Sequence, residues 1–152
     1  MMTIVSFIVH GQPVGKGRAR FVCVRGKPIA YPHAATAQYE HLVALEAVRA
    51  FRGTKTPLEG PVEIEVVAVM KRPKSRQRKK DLDQRERDTR KPDTDNILKS
   101  VVDAVVRAGV LGDDACVWRM RAEKYMADKT EPPHAQVTLR WGEAQDRSNN
   151  RE

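Results

Sequence analysis

A mixed α/β layer, one sheet flanked by helices, is the fold class this sequence predicts, and three observations predict it. Apolar alternation marks strands at Thr3–His10, Val62–Met70, Ala115–Tyr125 and Ala135–Trp141. Two longer stretches free of proline and glycine, 35–52 and 95–108, repeat their apolar residues at helical spacing. The order that results is strand, hairpin, helix, strand, loop, helix, strand, strand, which is an α/β (α+β) pattern. At 152 residues the chain is long enough for one self-supporting core. One domain is expected over 1–142, with a polar, disordered tail over 143–152.

In Thr3–His10, Ile4, Ser6 and Ile8 alternate with Val5, Phe7 and Val9, so both faces are largely apolar and a covered, central strand is expected. Gly11 to Arg20 is a glycine-rich basic loop. Phe21–Val24 and Pro28–Tyr31 flank Arg25-Gly26-Lys27 and read as a hairpin. Over 35–52, the stripe Tyr39, Leu42, Val43, Leu45 and Val48 is expected to pack into the core. Pro61 opens Val62–Met70, half covered where Glu63 and Glu65 alternate and then buried. The second helix is predicted to start at Asp93 to Asp95, after Pro92, and to stop at Gly109. Ala115–Tyr125 and Ala135–Trp141 complete the sheet across a turn holding Pro132-Pro133.

The formal net charge is +8, and it is concentrated. Residues 71–91 hold eleven Lys/Arg against four Asp/Glu, a balance of +7, which leaves +1 for the remaining 131 residues. Such density attracts a polyanion, because each phosphate neutralised by Lys or Arg releases condensed counterions. No aromatic residue interrupts the run, so backbone contacts are expected rather than base stacking along it. Lys16, Arg18 and Arg20 in the glycine-rich loop, and Arg78, Lys79, Lys80, Arg90 and Lys91 in the basic segment, are the candidate phosphate contacts. The bland alternative is a solvated loop.

Other classes are disfavoured. The apolar run Thr3–Val9 is too short to span a bilayer and lacks the flanks of a signal peptide, so no membrane role is expected. Cys23 and Cys116 stand far apart with no metal-ligand spacing, which predicts a reduced, cytoplasmic protein without zinc, each cysteine filling core space. There is no Gly-Lys-Ser/Thr and no complete dinucleotide fingerprint, so no nucleotide cofactor is expected.

The chemistry is expected in KPDTDNILKSVVDAVVRAGVLGDD, Lys91 to Asp114. A helix needs one carboxylate at most as its N-cap, yet Asp93 and Asp95 open this one and Asp113 and Asp114 follow it. Clustered carboxylates repel one another unless a cation intervenes. With no histidine nearby, the oxygen ligands suit magnesium better than zinc. Lys99 lies one turn from Asp95 and can reach a phosphate; its ordinary explanation is a surface ion pair with Asp95 or Asp103. Asp103 reads as structural. Asp81 and Asp83 repeat the Asp-x-Asp form but lack the downstream lysine and apolar helix, and read as charges in a flexible loop. A helix over 95–108 is about 20 Å long, while the segment 109–114 reaches at most about 17 Å. The two acidic ends therefore meet either by a strained return within one chain or across a symmetric dimer.

These residues resemble the RusA family of Holliday junction resolvases, small endodeoxyribonucleases often associated with phages and prophages. The family's Asp-x-Asp-Asn is present as Asp93, Asp95 and Asn96, its lysine as Lys99, and its Asp-Ala as Asp103-Ala104. Its Ala-Gly and Asp-Asp are present as Ala108-Gly109 and Asp113-Asp114. The opening GQPVGKGRARF is also similar to part of that family, although the 71–91 linker is longer than expected. The resemblance implies Asp93, Asp95 and Asp114 as Mg2+ ligands, with Mn2+ able to substitute and Asp113 as a further member, and Lys99 assisting catalysis. It also implies a homodimer that nicks two strands of four-way or branched DNA symmetrically. The alternative from another class is a non-catalytic basic DNA- or RNA-binding protein.

Overall fold

A computed structural model describes residues 1–17, 20–31 and 33–142. The predicted elements are present as β1 (Met2–His10), β2 (Arg20–Val24), β3 (Lys27–Tyr31), α1 (Ala34–Ala50) and β4 (Val62–Met70), then, after a short strand β5 (Glu86–Arg87) inside the segment expected to be a loop, α2 (Thr94–Arg107), β6 (Val117–Met126) and β7 (His134–Gly142). Five strands form one sheet in the order β1-β7-β4-β6-β5, and β2 and β3 form a separate ribbon. The sheet is mixed, as expected. β4 and β6 are parallel, which requires a long crossover, and the connection containing α2 supplies it. The other pairs are antiparallel.

Both helices pack on one face of the sheet. Phe7 and Val9 of β1, Val62, Ile64 and Val66 of β4, and Val137 and Leu139 of β7 meet Val43 and Ala47 of α1 and Ile97, Val101 and Val105 of α2 in one core. Burying each large aliphatic contributes about 1.5–3 kcal/mol, so this layer holds α2 rigidly. The opposite face carries cross-strand pairs, among them Arg140 with Glu65 at 3.0 Å and Arg119 with Glu63 at 3.8 Å.

Three expectations are corrected. β1 is not a covered central strand but an edge, paired only with β7; Val5, Phe7 and Val9 turn to the helices while Ile4 and Ile8 stay 57% and 45% exposed. On α1, Leu42, Leu45 and Val48 are exposed, and the buried face is Thr36, Tyr39, Glu40, Val43 and Ala47. That face carries a carboxylate inward because two cations await it, as described below. Cys23 is exposed and not core filler, whereas Cys116 is partly buried and packs against the core. Arg18 and the tail from Glu143 lie outside the described residues.

The basic segment is built around one residue. Arg72 is 3% exposed, and its guanidinium donates to the carbonyls of Arg76 at 2.5 Å, Leu82 at 3.0 Å, and Gln84 and Ala127 at 3.1 Å. Glu86 lies 3.2 Å from the same group. The decoy pair also has structural work, contrary to the expectation of loose loop charges. Asp81 accepts the backbone N–H of Arg78, and Asp83 accepts that of Lys129.

Candidate active site

At the start of α2, Asp93 occupies the N-cap position with extended backbone, φ −66° and ψ 144°, yet its side chain caps no N–H. Its carboxylate instead meets Lys91 at 2.6 Å and stays 48% exposed. Asp95, exposed in the first turn, makes no side-chain hydrogen bond or ion pair among the described residues. The helix N-terminus favours negative charge there. Lys99 forms no ion pair among the described residues, and Asp103 is paired elsewhere, which removes the ordinary surface-pair explanation.

Two devices fix this helix start. Lys124 of β6, 9% exposed, donates its ammonium to the carbonyls of Arg90 and Pro92, the latter at 2.7 Å. The glycine-rich loop lies against the other side: Lys16 N–H donates to the Asn96 carbonyl at 2.9 Å, and Ser100 Oγ donates to the Val14 carbonyl at 2.8 Å. Gly15 permits that approach, because a Cβ there would sit 2.8 Å from Pro92 Cβ. Thr36 Oγ1 then bridges the Gly15 carbonyl and the Gly17 N–H.

Lys16 also sends its ammonium along α2, 2.6 Å from Glu40 and 2.9 Å from Asp103. Glu40 is 1% exposed and has Arg107 at 3.3 Å on its other oxygen, so a buried carboxylate is neutralised from two sides. Burial disfavours the Lys16 cation, but the Glu40 and Asp103 hydrogen bonds outweigh it and hold its pKa above the ordinary lysine value. The phosphate clamp expected of Lys16 is thereby largely committed to internal carboxylates.

Beyond α2 the chain folds back. Val110 and Leu111, 2% and 1% exposed, plug into the core, and Leu58 N–H donates to the Val110 carbonyl at 2.9 Å. Asp113 caps the short 3-10 helix Asp114–Cys116 by accepting the Ala115 N–H at 2.8 Å. That bond, followed by one with Asp114, lowers the Asp113 pKa. Asp114 is raised, first by its hydrogen bond and charge contact with Asp113 and then by Asp103, with Lys99 opposing. Two carboxylates this close repel when both are charged, a cost that a cation relieves. An open depression of about 420 Å³ lies between Lys16, Asp103, Arg107, Asp113 and Asp114. Within one chain, no group of three or more His, Cys, Asp or Glu among the described residues is close enough to hold a metal. Asp93, Asp95, Asp113 and Asp114 are all exposed oxygen donors of the kind a hard cation takes.

The cations differ in availability. Lys79 and Lys80 are exposed and make no ion pair among the described residues, and Arg20 lies exposed on β2. Arg78 touches Asp81 at 3.4 Å. Arg90 grips the 3% exposed Asp88 side chain at 2.7 Å, and Lys91 is the partner of Asp93. Glu40 and Lys124 were absent from the candidates. A charge set among Tyr39, Val43 and Ala47 at helical spacing was the available signal for Glu40. No comparable signal marks Lys124, whose acceptors are backbone carbonyls.

A family model described as endodeoxyribonuclease RusA matches residues 10–140. The chain is also 31% identical over 144 residues to an uncharacterized protein of Bacillus subtilis (strain 168), YqaN, covering 91% of this chain and 97% of that one. The matched span contains the glycine-rich loop, the basic segment and both acidic ends of α2, and the chain belongs to the RusA family of endodeoxyribonucleases, Holliday junction resolvases.

Proposed function

We propose that this chain is a Mg2+-dependent endodeoxyribonuclease that acts inside the cell as a homodimer and resolves four-way or branched DNA by paired symmetric nicks. The observation that carries the reading is Asp93: it stands at an N-cap and does not cap, beside an unpaired Asp95. Exposed carboxylates at a helix start, one meeting only the exposed Lys91 and the other unpaired among the described residues, next to a strongly basic loop, fit a phosphodiester-cleaving site. In this reading Asp93, Asp95 and Asp114 hold the metal, with Asp113 positioning Asp114. A hard divalent cation such as Mg2+ held by these carboxylates would supply Lewis acidity to the phosphodiester chemistry. Lys99, one turn from Asp95, carries a further positive charge toward the phosphate oxygens. Lys79 and Lys80 hold the DNA backbone.

That no group of three such ligands among the described residues is close enough to hold a metal supports a second copy as the source of missing ligands. So do the exposed Leu42, Leu45 and Val48 of α1, and Trp118 and Met120 of β6, a strand whose outer edge β5 covers only at Tyr125 and Met126. The test incubates a synthetic four-way junction with Mg2+ and compares wild type with Asp93→Asn. The expected result is symmetric nicking by wild type alone, with junction binding kept by both. Equal binding with no cleavage by either protein would instead favour a non-catalytic nucleic-acid-binding module.

A further inference from the structure

The β2–β3 ribbon is unexplained by the site. All ten of its strand residues are exposed, and none belongs to the core. A lone two-stranded hairpin is marginal in water, so a ribbon that buries nothing needs a partner to justify its apolar surface. Its cross-strand pairs sort the side chains by face: Arg20 with Tyr31, Val22 with Ile29 and Val24 with Lys27 on one, Phe21 with Ala30 and Cys23 with Pro28 on the other. Phe21 is thus flanked by small neighbours and is 74% exposed. Arg25 and Gly26 make the tight turn with φ +51° and +76°, placing Arg25 and Lys27 at the tip.

Charge and position identify the partner. The first acidic residue of the chain is Glu40, so residues 1–39 carry Lys16, Arg18, Arg20, Arg25 and Lys27 and no carboxylate. The root of the ribbon is pinned beside the start of α2, where Lys16 N–H holds the Asn96 carbonyl and Thr36 bridges Gly15 and Gly17. Five residues of strand extend about 16 Å, further than the roughly 8.5 Å depth of a major groove. An arm of that length, rooted next to Asp93 and Asp95, is long enough to enter a groove of DNA whose backbone lies on them.

We propose that the β2–β3 ribbon is a DNA-engaging arm that enters the branch point, with Arg20, Arg25 and Lys27 on phosphates and Phe21 stacked on an exposed base. It rests on the reading of the chain as a nuclease for branched DNA. Bases at a branch are already partly unstacked, which lowers the cost of inserting an aromatic ring. The ordered basic segment grips duplex arms, whereas the ribbon reads where they part.

The experiment uses the full chain and a four-way junction carrying 2-aminopurine at the branch point, without divalent metal for binding and with Mg2+ for cleavage. Wild type is expected to raise the 2-aminopurine fluorescence several-fold. Phe21→Ala should lose at least half of that rise, with an unchanged unfolding midpoint because Phe21 touches no core residue. Arg25→Gln with Lys27→Gln should weaken binding and lower the slope of log affinity against log salt by about 1 to 2. A wild-type rise and cleavage rate in Phe21→Ala would overturn the arm while leaving the nuclease reading intact. A ribbon variant that sediments at half the wild-type mass would overturn it in favour of a contact between copies. Failure of wild type to bind the junction would remove both proposals together.

Discussion

Replacing Arg72 with methionine tests whether one buried guanidinium organises the basic segment. The side chain volume is nearly kept, but four backbone carbonyls lose their donor and Glu86 loses an ion-pair partner. Of these contacts, the one to Ala127 is buried, so that carbonyl is stranded at a cost of about 1–3 kcal/mol. The carbonyls of Arg76, Leu82 and Gln84 lie at partly open contacts and can turn to water, each losing less than about 1 kcal/mol. Glu86 keeps Arg76 at 2.9 Å and adds little. The buried guanidinium was itself desolvated, which offsets part of the loss. The net expectation is about 3 kcal/mol, small enough that a domain of ordinary stability stays folded. In urea, with a slope of about 2 kcal/mol per molar, the midpoint should fall by about 1.5 M at unchanged slope. Trypsin should also cut within 71–91 much faster than in wild type. Arg72→Lys should rescue little, because one ammonium cannot serve four divergent carbonyls. A midpoint shift below about 0.3 M with unchanged trypsin resistance would refute the idea that Arg72 orders this segment.

Glu40→Gln removes the buried charge between Lys16 and Arg107; because both cations are partly exposed and can rehydrate, the expected loss is about 2 kcal/mol, below that of a fully buried pair. Urea unfolding checks it, and a stability equal to wild type would mean the two cations do not depend on Glu40. Acid should loosen the end of the basic segment: burial raises the Asp88 pKa, but its hydrogen bonds to Arg90 and the charges of Arg90 and Lys124 outweigh that and leave it below the ordinary aspartate value. A lowered folded value means stability that is present above the ordinary value near 4 and is lost as pH falls through the folded value. Asp88→Asn should therefore flatten the fall in unfolding midpoint below pH 4, and an unchanged profile would exclude Asp88 as a contributor.

The order of elements was legible because each carries its own period, and the two-residue turn at Arg25-Gly26 and the stop at Gly109 have local causes. What was not legible depends on distant partners. Both faces of β1 are apolar, and only its pairing with β7 alone leaves Ile4 and Ile8 in water. On α1, apolar residues lie on two faces, and the stripe with larger side chains lost to the one that brings Glu40 to Lys16 and Arg107. The ordering of 71–91 was invisible because Arg72 and Lys124 are satisfied by carbonyls, which every residue possesses. At the candidate site, residue type and spacing singled out Asp93, Asp95, Lys99, Asp113 and Asp114, and only the fold disclosed that Asp93 does not cap its helix.

The gap between the two acidic ends has also changed character. On paper they stand a helix length apart, but burial of Val110 and Leu111 turns the chain back, so Asp114 feels the charges of Asp103 and Lys99 part way along α2. Lys16 spans much of the same face, with its N–H on Asn96 and its ammonium on Asp103. Asp103 is therefore neutralised by Lys16, while Asp95 and Asp114 are left exposed. With Asp103 so engaged, and no group of three such ligands among the described residues close enough to hold a metal, the geometry fits a site completed from outside, by the phosphate and by the second copy that we propose.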